Sequence, residues 1–384
     1  MNVLMISLSD DVLDGLQSEV YRRHERYGEV AGHLTMIVYT TRRPVVSPIF
    51  SPQLSVHPVG GSRALFVVRA VWTGLRRARR PVDLITAQDP FGTGLTGVIL
   101  SWLLKAPLLV QNHSAFFDNP YWIAERPRRH AIFNRLGKWV IRRAAMNRVV
   151  NEAERDKYLA LGIPPERVRV IPLADPAPFA APVPAEQIAA QRATWGLTAD
   201  HRVVLWVGRM VRLKRLPVLL DAMRLVADAE PKARLVLVGD TAAAEEDIPA
   251  EIARRNLGDR VILTGRIPFD RLPAVYRAAD VYALTSVYEG VPRVLQEAGA
   301  AGLPLVAMES AGARAVVVDG ENGYLIPQGD VETFARRVLA LLRAPEQARA
   351  MGERGRALVL ARFDSTRLFE EWMACWRETA GIGR

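Results

Sequence analysis

Short apolar runs rich in β-branched residues alternate with longer amphipathic stretches along the whole chain, and this alternation limits the folds open to it. The pattern is typical of βαβ units, in which parallel strands lie buried beneath helices. It is interrupted once, by the proline-rich stretch Ile171–Pro184, and then restarts. We therefore expect an α/β protein of two Rossmann-like, doubly wound parallel-sheet domains that face each other across a cleft, with the proline-rich stretch as the linker.

The expected domains are residues 1–172 and residues 173–364, which suits a length of 384 residues. The strands predicted in the first domain are Val3–Leu8, Leu34–Tyr39, Asp83–Ala87, Pro107–Asn112, Arg148–Asn151 and Val168–Ile171. Its predicted helices are Gly61–Arg79, Gly92–Leu103, Arg129–Ala145 and Glu152–Leu161. The strands predicted in the second domain are Arg202–Val207, Arg234–Val238, Val261–Thr264, Val281–Leu284, Pro304–Ala307 and Gly323–Ile326. Three amphipathic segments follow Asp330.

Composition excludes several classes of protein. With 49% hydrophobic and 24% charged residues, the chain has ordinary globular composition and is neither disordered nor fibrous. Its single cysteine, Cys375, excludes an internal disulfide and a cysteine-based zinc site, which favours a reducing, cytoplasmic location. The opening segment Met1–Leu8 is expected to be a strand, and the longest apolar runs are too short to span a bilayer.

The net charge of +10 is unevenly distributed. Residues 1–192 hold 25 basic and 16 acidic side chains, a net charge of +9, so the remainder of the chain is nearly neutral. Such asymmetry fits a first domain that faces a polyanion, either anionic lipid or nucleic acid. A solvated arginine-rich surface is the alternative.

Two segments of the second domain carry candidate chemistry. The strand that begins at Val203 ends in Gly208-Arg209, with Lys214 five residues further on. Glycine lets a diphosphate approach the backbone, and the two cations supply charge-assisted donors. Arg212 and Arg215 could serve instead.

The segment Ser286–Ala301 is more specific. It places Glu289 and Glu297 on either side of a predicted helix start, with Pro292 expected in the first turn. Backbone N–H groups there can bind anions or hydroxyl oxygens, and the Glu297 carboxylate could accept two hydrogen bonds from a ribose.

Together with Gly320-Glu321-Asn322-Gly323, these motifs resemble the retaining GT-B enzymes of glycosyltransferase family 4, the glycosyl transferases group 1. The resemblance is close over about residues 202–342 and holds only in outline in the N-terminal half. It implies the GT-B fold and transfer of a sugar from a nucleotide-diphosphate sugar, UDP- or GDP-linked, to a hydroxyl with retained configuration.

The resemblance also implies site residues. Arg209 and Lys214 would hold the diphosphate, Glu297 the ribose, and Glu289 would sit beside the donor sugar. His113, after the strand LLVQ, matches a cleft histidine of the family. The remaining donor contacts, mostly from backbone, would come from Gly15, Gly208, Arg266, Ile267, Gly290, Val291, Pro292, Arg293 and Val294.

Two segments depart from the family's pattern. The loop after the first strand keeps only Gly15 where relatives often have a pair of glycines. Ala315 stands where many relatives carry a glutamate. No metal cluster is visible in the sequence, and we expect no cofactor, because the nucleotide sugar is a substrate. The leaving phosphate itself is expected to take the acceptor's proton.

Three alternatives remain open. A GT-B nucleotide-sugar epimerase would use Glu289 and Glu297 as an acid/base pair. A soluble small-molecule glycosyltransferase would differ only in its acceptor. An inactive polyanion-binding module would bind nucleic acid, whereas we expect a glycosyltransferase to have no nucleic-acid partner.

The last two expectations concern surfaces. The segment Tyr121–Arg148 has eight basic residues against Glu125, and it predicts either a domain-packing helix or a helix lying on the cytoplasmic membrane face. In the second case Phe133, Leu136, Val140 and Ile141 would form the apolar face, and a polyprenyl-diphosphate-linked sugar would be the acceptor. In GT-B relatives the last helix, here residues 365–384, crosses back onto the first domain.

Overall fold

The computed structural model describes residues 1–16, 18–42, 49–172 and 175–382. The chain divides into two compact units, Met1–Pro172 with Arg367–Arg384, and Leu173–Thr366. The polypeptide therefore leaves the first unit near residue 172 and returns to it near residue 367. Each unit contains one sheet of its own.

Eight strands form the sheet of the first unit. They are β1 (Asn2–Ser7), β2 (His33–Tyr39), β3 (Ile49–Phe50), β4 (Leu54–Val59), β5 (Leu84–Ala87), β6 (Leu108–Gln111), β7 (Met146–Val149) and β8 (Val168–Val170). Their order is β3-β4-β2-β1-β5-β6-β7-β8. Every pair is parallel except β3 with β4. The six predicted strands are confirmed to within two residues at each end.

The helices of the first unit connect these strands. They are α1 (Glu19–Ala31), α2 (Phe66–Arg77), α3 (Gly92–Leu104), α4 (Pro120–Glu125), α5 (Pro127–Arg143) and α6 (Glu152–Ala160). The helix predicted from Arg129 begins two residues earlier, at Pro127, because proline suits the first turn of a helix. A separate short helix, α4, precedes it.

The prediction missed helix α1 and strand β4, each for a physical reason. Helix α1 has the sequence EVYRRHERYGEVA, which is polar overall, although its buried residues Tyr21, His24, Tyr27 and Ala31 recur every three or four positions. Ser18 caps the helix by accepting a hydrogen bond from the Tyr21 amide. Strand β4 contains Pro58, which cannot donate to a neighbouring strand. Among the described residues, strand β3 pairs with β4 at Ser55 and Val56.

The second unit is a six-stranded parallel sheet. Its strands are β9 (Arg202–Val207), β10 (Ala233–Val238), β11 (Val261–Gly265), β12 (Val281–Leu284), β13 (Leu305–Met308) and β14 (Gly323–Ile326). Its helices are α7 (Ala177–Ala180), α8 (Ala185–Thr194), α9 (Leu216–Ala229), α10 (Ile248–Arg254), α11 (Leu272–Arg277), α12 (Arg293–Ala300), α13 (Ala311–Arg314), α14 (Val331–Arg343) and α15 (Pro345–Arg362). The strand order is β11-β10-β9-β12-β13-β14, and all six predicted strands are confirmed.

The strand order creates a switch point in each sheet. The chain extends first to one side of the central strand and then to the other, so the reversal lies between β1 and β5 in the first unit and between β9 and β12 in the second. Open parallel sheets bind ligands at the carboxyl ends of the strands beside such a reversal.

Part of the expected linker is folded. Leu173 and Ala174 lie outside the described residues, but Phe179 in α7 is fully buried in the second unit. Its ring packs edge-on against Tyr276 and Phe269, with centroids 5.3 and 5.5 Å away. The proline-rich stretch that the sequence predicts as the linker therefore includes a helix, α7, which Phe179 holds to the second unit.

The last helix, α16 (Ser365–Thr379), packs within the first unit from Arg367 onward. Trp372 and Trp376 are buried, and the Trp376 ring lies 5.8 Å from Tyr27 in α1. Arg169 of β8 also donates to Glu378 at 2.5 Å. The carboxyl end of the chain is thus part of the core of the first unit.

We predict that Trp376→Ala destabilises the first unit by about 3–5 kcal/mol, the usual cost of truncating a buried tryptophan. Backbone amides of β1 and α1 should then exchange hydrogen faster, while those of β9 and β12 keep their rates. Glu371→Ala is the control, since it removes only the exposed pair with Arg367 and should cost less than about 0.5 kcal/mol. Unchanged exchange in the first unit of the Trp376 variant would contradict this account of the core.

Candidate functional site

Glycines occupy the carboxyl ends of three adjacent strands in the second sheet. Gly208 follows β9, Gly239 follows β10, and Gly265 ends β11. The Gly208 amide donates to Val238 O at 3.0 Å, and the Gly239 amide donates to Gly265 O at 3.1 Å. A Cβ on Gly239 would lie 2.3 Å from the Gly208 carbonyl oxygen, so only glycine fits there. Gly239 is buried against the Met210 side chain, whereas Gly208 is half-buried and is the glycine of this pair that a ligand can approach.

The sequence analysis identified Gly208 and missed Gly239. The signal was nonetheless present, because Val238-Gly239 ends a buried strand in the same way as Val207-Gly208 does.

Lys214 and Glu289 meet beside this edge. The Lys214 ammonium forms an ion pair with the Glu289 carboxylate, and the two side chains are 13% and 17% exposed. Lys214 ends a short 3-10 turn, and Thr285, just after β12, fixes that turn by donating to Lys214 O at 2.8 Å. The switch point thus brings together two residues that lie 75 positions apart in sequence.

The other cations of this segment differ from Lys214. Arg209 is exposed, and none of the described residues pairs with its guanidinium. The Arg212 amide, rather than its side chain, is bound, donating to Glu245 at 2.9 Å. Arg215 has a φ of 49° and begins α9. Unlike Lys214, these three guanidinium groups have no ion-pair partner among the described residues, and Arg209 and Arg212 are exposed.

The loop Ser286–Pro292 leads into α12. Pro292 occupies the N-cap position and Arg293 is the first helical residue, so the prediction of Pro292 in the first turn is wrong by one residue. Gly312 in α13 holds the loop close: a Cβ there would lie 2.7 Å from Gly290 O. Arg293 and Val294 follow as the first residues of the helix, where amide groups have no partner within the helix itself.

Glu297 lies one turn into α12 and is 8% exposed. Its Oε2 accepts a hydrogen bond from the Tyr276 hydroxyl at 2.7 Å, and its Oε1 lies 3.9 Å from Nε of Arg293. Burial, followed by the charge of Glu297, raises the pKa of Tyr276 well above its usual value. The phenol therefore stays a donor and holds the carboxylate in place. Tyr276 carried no sequence signal beyond an aromatic residue on a helix.

Arg266 and Ile267 directly follow β11. Arg266 is exposed and Ile267 is half-buried. Because all six strands are parallel, this pair lies at the same edge as Gly208 and Gly239. The structure therefore groups the predicted residues of the second unit along one edge of one sheet.

In the first unit, His113 follows β6. The residue is solvent-exposed, yet both ring nitrogens have partners. Nε2 lies 3.1 Å from Gln88 Oε1, and Nδ1 lies 3.2 Å from Nη1 of Arg148. The pKa of His113 is lowered, first because the surrounding protein removes hydration from the charged ring and then by the positive charges of Arg148 and Arg23. The imidazole is therefore neutral at pH 7. Gln88 and Arg148 were not among the predicted site residues.

Gly15 lies in the loop after β1 and has a φ of 122°. Arg42 binds this loop through two carboxylates, with Nε 3.1 Å from Asp10 Oδ2 and Nη2 2.5 Å from Asp14 Oδ1. Thr40 also donates to Asp10 at 2.6 Å. The loop is thus organised by its own ion pairs, and Gly15 is the position in it without a side chain.

Helix α5 does not present the apolar face that the sequence indicated. Val140 and Ile141 are fully buried, and the Phe133 ring stacks on Phe91 with centroids 5.4 Å apart. That face packs into the unit, because Phe133 joins the aromatic cluster of Phe91, Phe116 and Trp122. The exposed residues of α5 are instead Arg128, Arg129, Ile132, Arg135, Trp139, Arg142 and Arg143.

The described residues contain neither a cluster of metal ligands nor a membrane-spanning helix. No group of three or more His, Cys, Asp or Glu side chains in residues 1–16, 18–42, 49–172 and 175–382 is arranged to hold a metal ion. Within the same ranges, no helix combines the length and the apolar character needed to cross a bilayer.

Family comparison matches both units. Residues 187–358 match the family model described as glycosyl transferases group 1, and residues 15–174 match that of the glycosyl transferase 4-like domain. The two matches together cover most of the chain, including every predicted site residue.

Individual proteins give the same picture. An alpha-D-kanosaminyltransferase of Streptomyces kanamyceticus is 26% identical over 351 residues, 89% of each chain. A D-inositol 3-phosphate glycosyltransferase of Segniliparus rotundus is 38% identical over 170 residues, which span 44% of this chain and only 38% of that protein. The solved structure of sucrose-phosphate synthase from Thermosynechococcus elongatus aligns over 98% of each chain with a TM-score of 0.81 and 25% identity.

We predict that Gly239→Ala lowers the free energy of unfolding by roughly 1–3 kcal/mol, because the new methyl group forces the Gly208 backbone to shift. Gly258→Ala is a matched control, since a Cβ there meets nothing within 4 Å. Urea unfolding of both variants measures the difference. Equal stabilities would show that the close approach of the two glycines is not required.

Proposed function

The chain belongs to the GT-B glycosyltransferases of family 4, and we propose that it transfers a sugar from a UDP- or GDP-sugar to a hydroxyl with retained configuration. The observation that supports this most strongly is the grouping of Lys214, Glu289 and Glu297 at the carboxyl ends of β9 and β12, where Gly208 carries no side chain. A nucleotide diphosphate needs such an edge for its phosphates and a fixed carboxylate for its ribose.

The cations act on the leaving group. When the bond between the anomeric carbon and the phosphate oxygen breaks, the electron pair stays on the diphosphate, so its negative charge grows. Arg209 and Lys214 stabilise that charge more in the transition state than in the ground state, and this difference lowers the barrier. The acceptor oxygen forms the new bond to the anomeric carbon on the same face, and its proton passes to the leaving phosphate.

The remaining residues position the donor. Glu297 accepts hydrogen bonds from the ribose hydroxyls while Tyr276 holds its second oxygen. Glu289 and the backbone from Gly290 to Val294 bind the sugar hydroxyls. The backbone at Arg266 and Ile267 borders the base, and Gly208 admits the phosphates. We assign to His113 a hydrogen bond with a hydroxyl group of the sugar.

The carboxylate contacts disfavour an epimerase. An epimerase would need Glu289 and Glu297 as an acid/base pair, but Glu289 pairs with Lys214, and Glu297 accepts from Tyr276. Incubation with nucleotide sugar alone separates the two activities, because an epimerase turns over the donor without any acceptor.

We predict that Arg209→Ala and Lys214→Ala each reduce transfer by about 100-fold or more while the protein stays folded. In the wild type, UDP or GDP should raise Tm, since a ligand that binds only the folded state stabilises it, and the rise should shrink in both variants. Arg224→Ala in α9 is the control, because Arg224 is a solvent-exposed cation paired with Asp228. Normal transfer rates in both site variants would overturn the proposed donor site.

For the acceptor, we propose a polyprenyl-diphosphate-linked sugar reached at the cytoplasmic face of the cell membrane. The outer stripe of α5 supports this: Ile132 is 63% exposed and Trp139 is 39% exposed, and Arg128 and Arg135 stand beside them. The Arg143 guanidinium stacks 3.8 Å from the Trp139 ring centroid. Helix α5 contains no acidic residue. An aromatic and aliphatic stripe flanked by arginines suits an anionic lipid surface.

We predict that the protein co-sediments with vesicles in proportion to their anionic-lipid content and dissociates as salt is raised. Each basic residue near such a surface contributes roughly 1 kcal/mol, so the double variant Arg128→Glu, Arg135→Glu should bind at least about tenfold more weakly. Arg224→Glu with Arg336→Glu, both in the second unit, is the matched control for net charge. Equal loss in both double variants, or no binding at low salt, would favour a soluble acceptor.

A further inference from the structure

Arg148 is a buried cation in the strand of the first sheet that lies next to the edge strand β8. It lies in β7 and is fully shielded from solvent. Its Nε donates to Ile171 O at 2.5 Å, and its Nη1 donates to Gln111 Oε1 at 3.3 Å and contacts His113 Nδ1 at 3.2 Å. Its guanidinium also lies 5.3 Å from the ring centroid of Trp372.

Among the described residues, no carboxylate forms an ion pair with Arg148, and its Nη2 has no hydrogen-bond partner. The neighbouring side chains that could become negatively charged are Tyr27 in α1 and Cys375 in α16. Burial raises the pKa of both, that of Cys375 to about 12, so neither supplies a negative charge at pH 7. Burial also lowers the pKa of Arg148 to about 10, which still leaves it protonated.

An uncompensated buried charge is costly for stability, so Arg148 is poorly explained as a stabilising residue. Its contact with His113 offers a different explanation. Arg148 reaches from the protein interior to the one histidine that the proposed function places at the substrate.

The contact restricts the proton of the imidazole. A guanidinium can only donate hydrogen bonds, so His113 Nδ1 must be the acceptor in the contact with Arg148. In the neutral ring the proton then sits on Nε2, which donates to Gln88 Oε1 at 3.1 Å. Gln88 is itself oriented, because its Nε2 donates to the Met5 sulfur at 3.1 Å. The charged groups that face His113, Arg148 from β7 and Arg23 from α1, both oppose a second proton.

We propose that Arg148 is a positioning residue that holds His113 as the neutral Nε2–H tautomer, so that His113 serves the transfer reaction as a hydrogen-bond donor and not as a base. The catalytic part of this inference rests on the proposed function, whereas the tautomer does not. With Nδ1 occupied by Arg148, the ring has no free lone pair with which to accept a substrate proton. Its Nε2–H can exchange Gln88 for a hydroxyl oxygen of a sugar.

The tautomer is tested by nitrogen-15 NMR of the full-length protein labelled at histidine, with His113→Gln used to assign the signals. In the wild type, His113 should show the Nε2–H tautomer from pH 8 down to pH 5. In Arg148→Met the pKa of the ring should rise above its wild-type value of about 3, because a neighbouring positive charge is gone, and the titration is continued below pH 5 to measure the rise. Arg169→Met is the matched control: Arg169 lies in β8 and binds Glu378 of α16 without touching His113.

Each outcome of the NMR measurement decides the matter. An Nδ1–H tautomer or a charged ring in the wild type at pH 6 would overturn the proposal even if Arg148→Met failed to fold. An unchanged titration in a folded Arg148→Met would overturn it as well. A shift of similar size in Arg169→Met would show that loosening α16, and not the loss of Arg148, moves the titration.

Transfer assays test the donor role separately. The amide of Gln reaches about where Nε2–H lies, whereas that of Asn stops near Nδ1, so His113→Gln should be at least tenfold faster than His113→Asn. Wild-type kcat should be flat from pH 8 to pH 5 as far as His113 is concerned, and Arg148→Met should gain a limb that falls toward acid pH. Equal rates for the Gln and Asn variants would contradict the donor role. Failure of transfer itself, with the tautomer intact, would refute the proposed function alone.

Discussion

The close approach of backbone at Gly208 and Gly239 is the constraint on which the second unit's site depends. Parallel strands place their carboxyl ends at one edge, and the two glycines let the ends of β9 and β10 approach closely, next to the reversal of strand order between β9 and β12. Every polar group of the site is then added from the segments that follow β9, β11 and β12. A side chain at Gly239 would displace the Gly208 carbonyl and with it the turn that carries Lys214.

Charge is balanced differently in the two units. In the second unit Lys214 is neutralised by Glu289, whereas Arg209, which we propose binds the diphosphate, has no ion-pair partner among the described residues. In the first unit the cation Arg148 lacks a carboxylate among the described residues and is stabilised by carbonyl, amide and aromatic partners instead. A paired cation can change partners when an anion binds. A cation fixed by neutral groups serves to orient its neighbour.

The sequence alone predicted the structural elements that depend on a local pattern of apolar residues. All twelve predicted strands are present, because buried strands of parallel sheets are continuous apolar runs. Helix α1 was missed because it is polar overall, although its capping serine and the spacing of its buried residues are both helical signals. Tyr276 and Gly239 were missed as site residues because their roles come from contacts across the sheet. The face of α5 was assigned wrongly, because a helical wheel shows which residues share a face but not what packs against it.

The end of the chain contributes to the first unit's chemistry as well as to its core. Trp372 of α16 lies over the Arg148 guanidinium, and Arg148 in turn contacts His113. An aromatic ring stabilises a desolvated guanidinium without accepting its protons, so Nη1 stays available to the imidazole. A carboxylate in place of the tryptophan would compete for that donor. The last helix therefore provides packing that keeps a buried cation directed at the histidine, and this explains why an unpaired arginine is tolerated in the interior of the sheet.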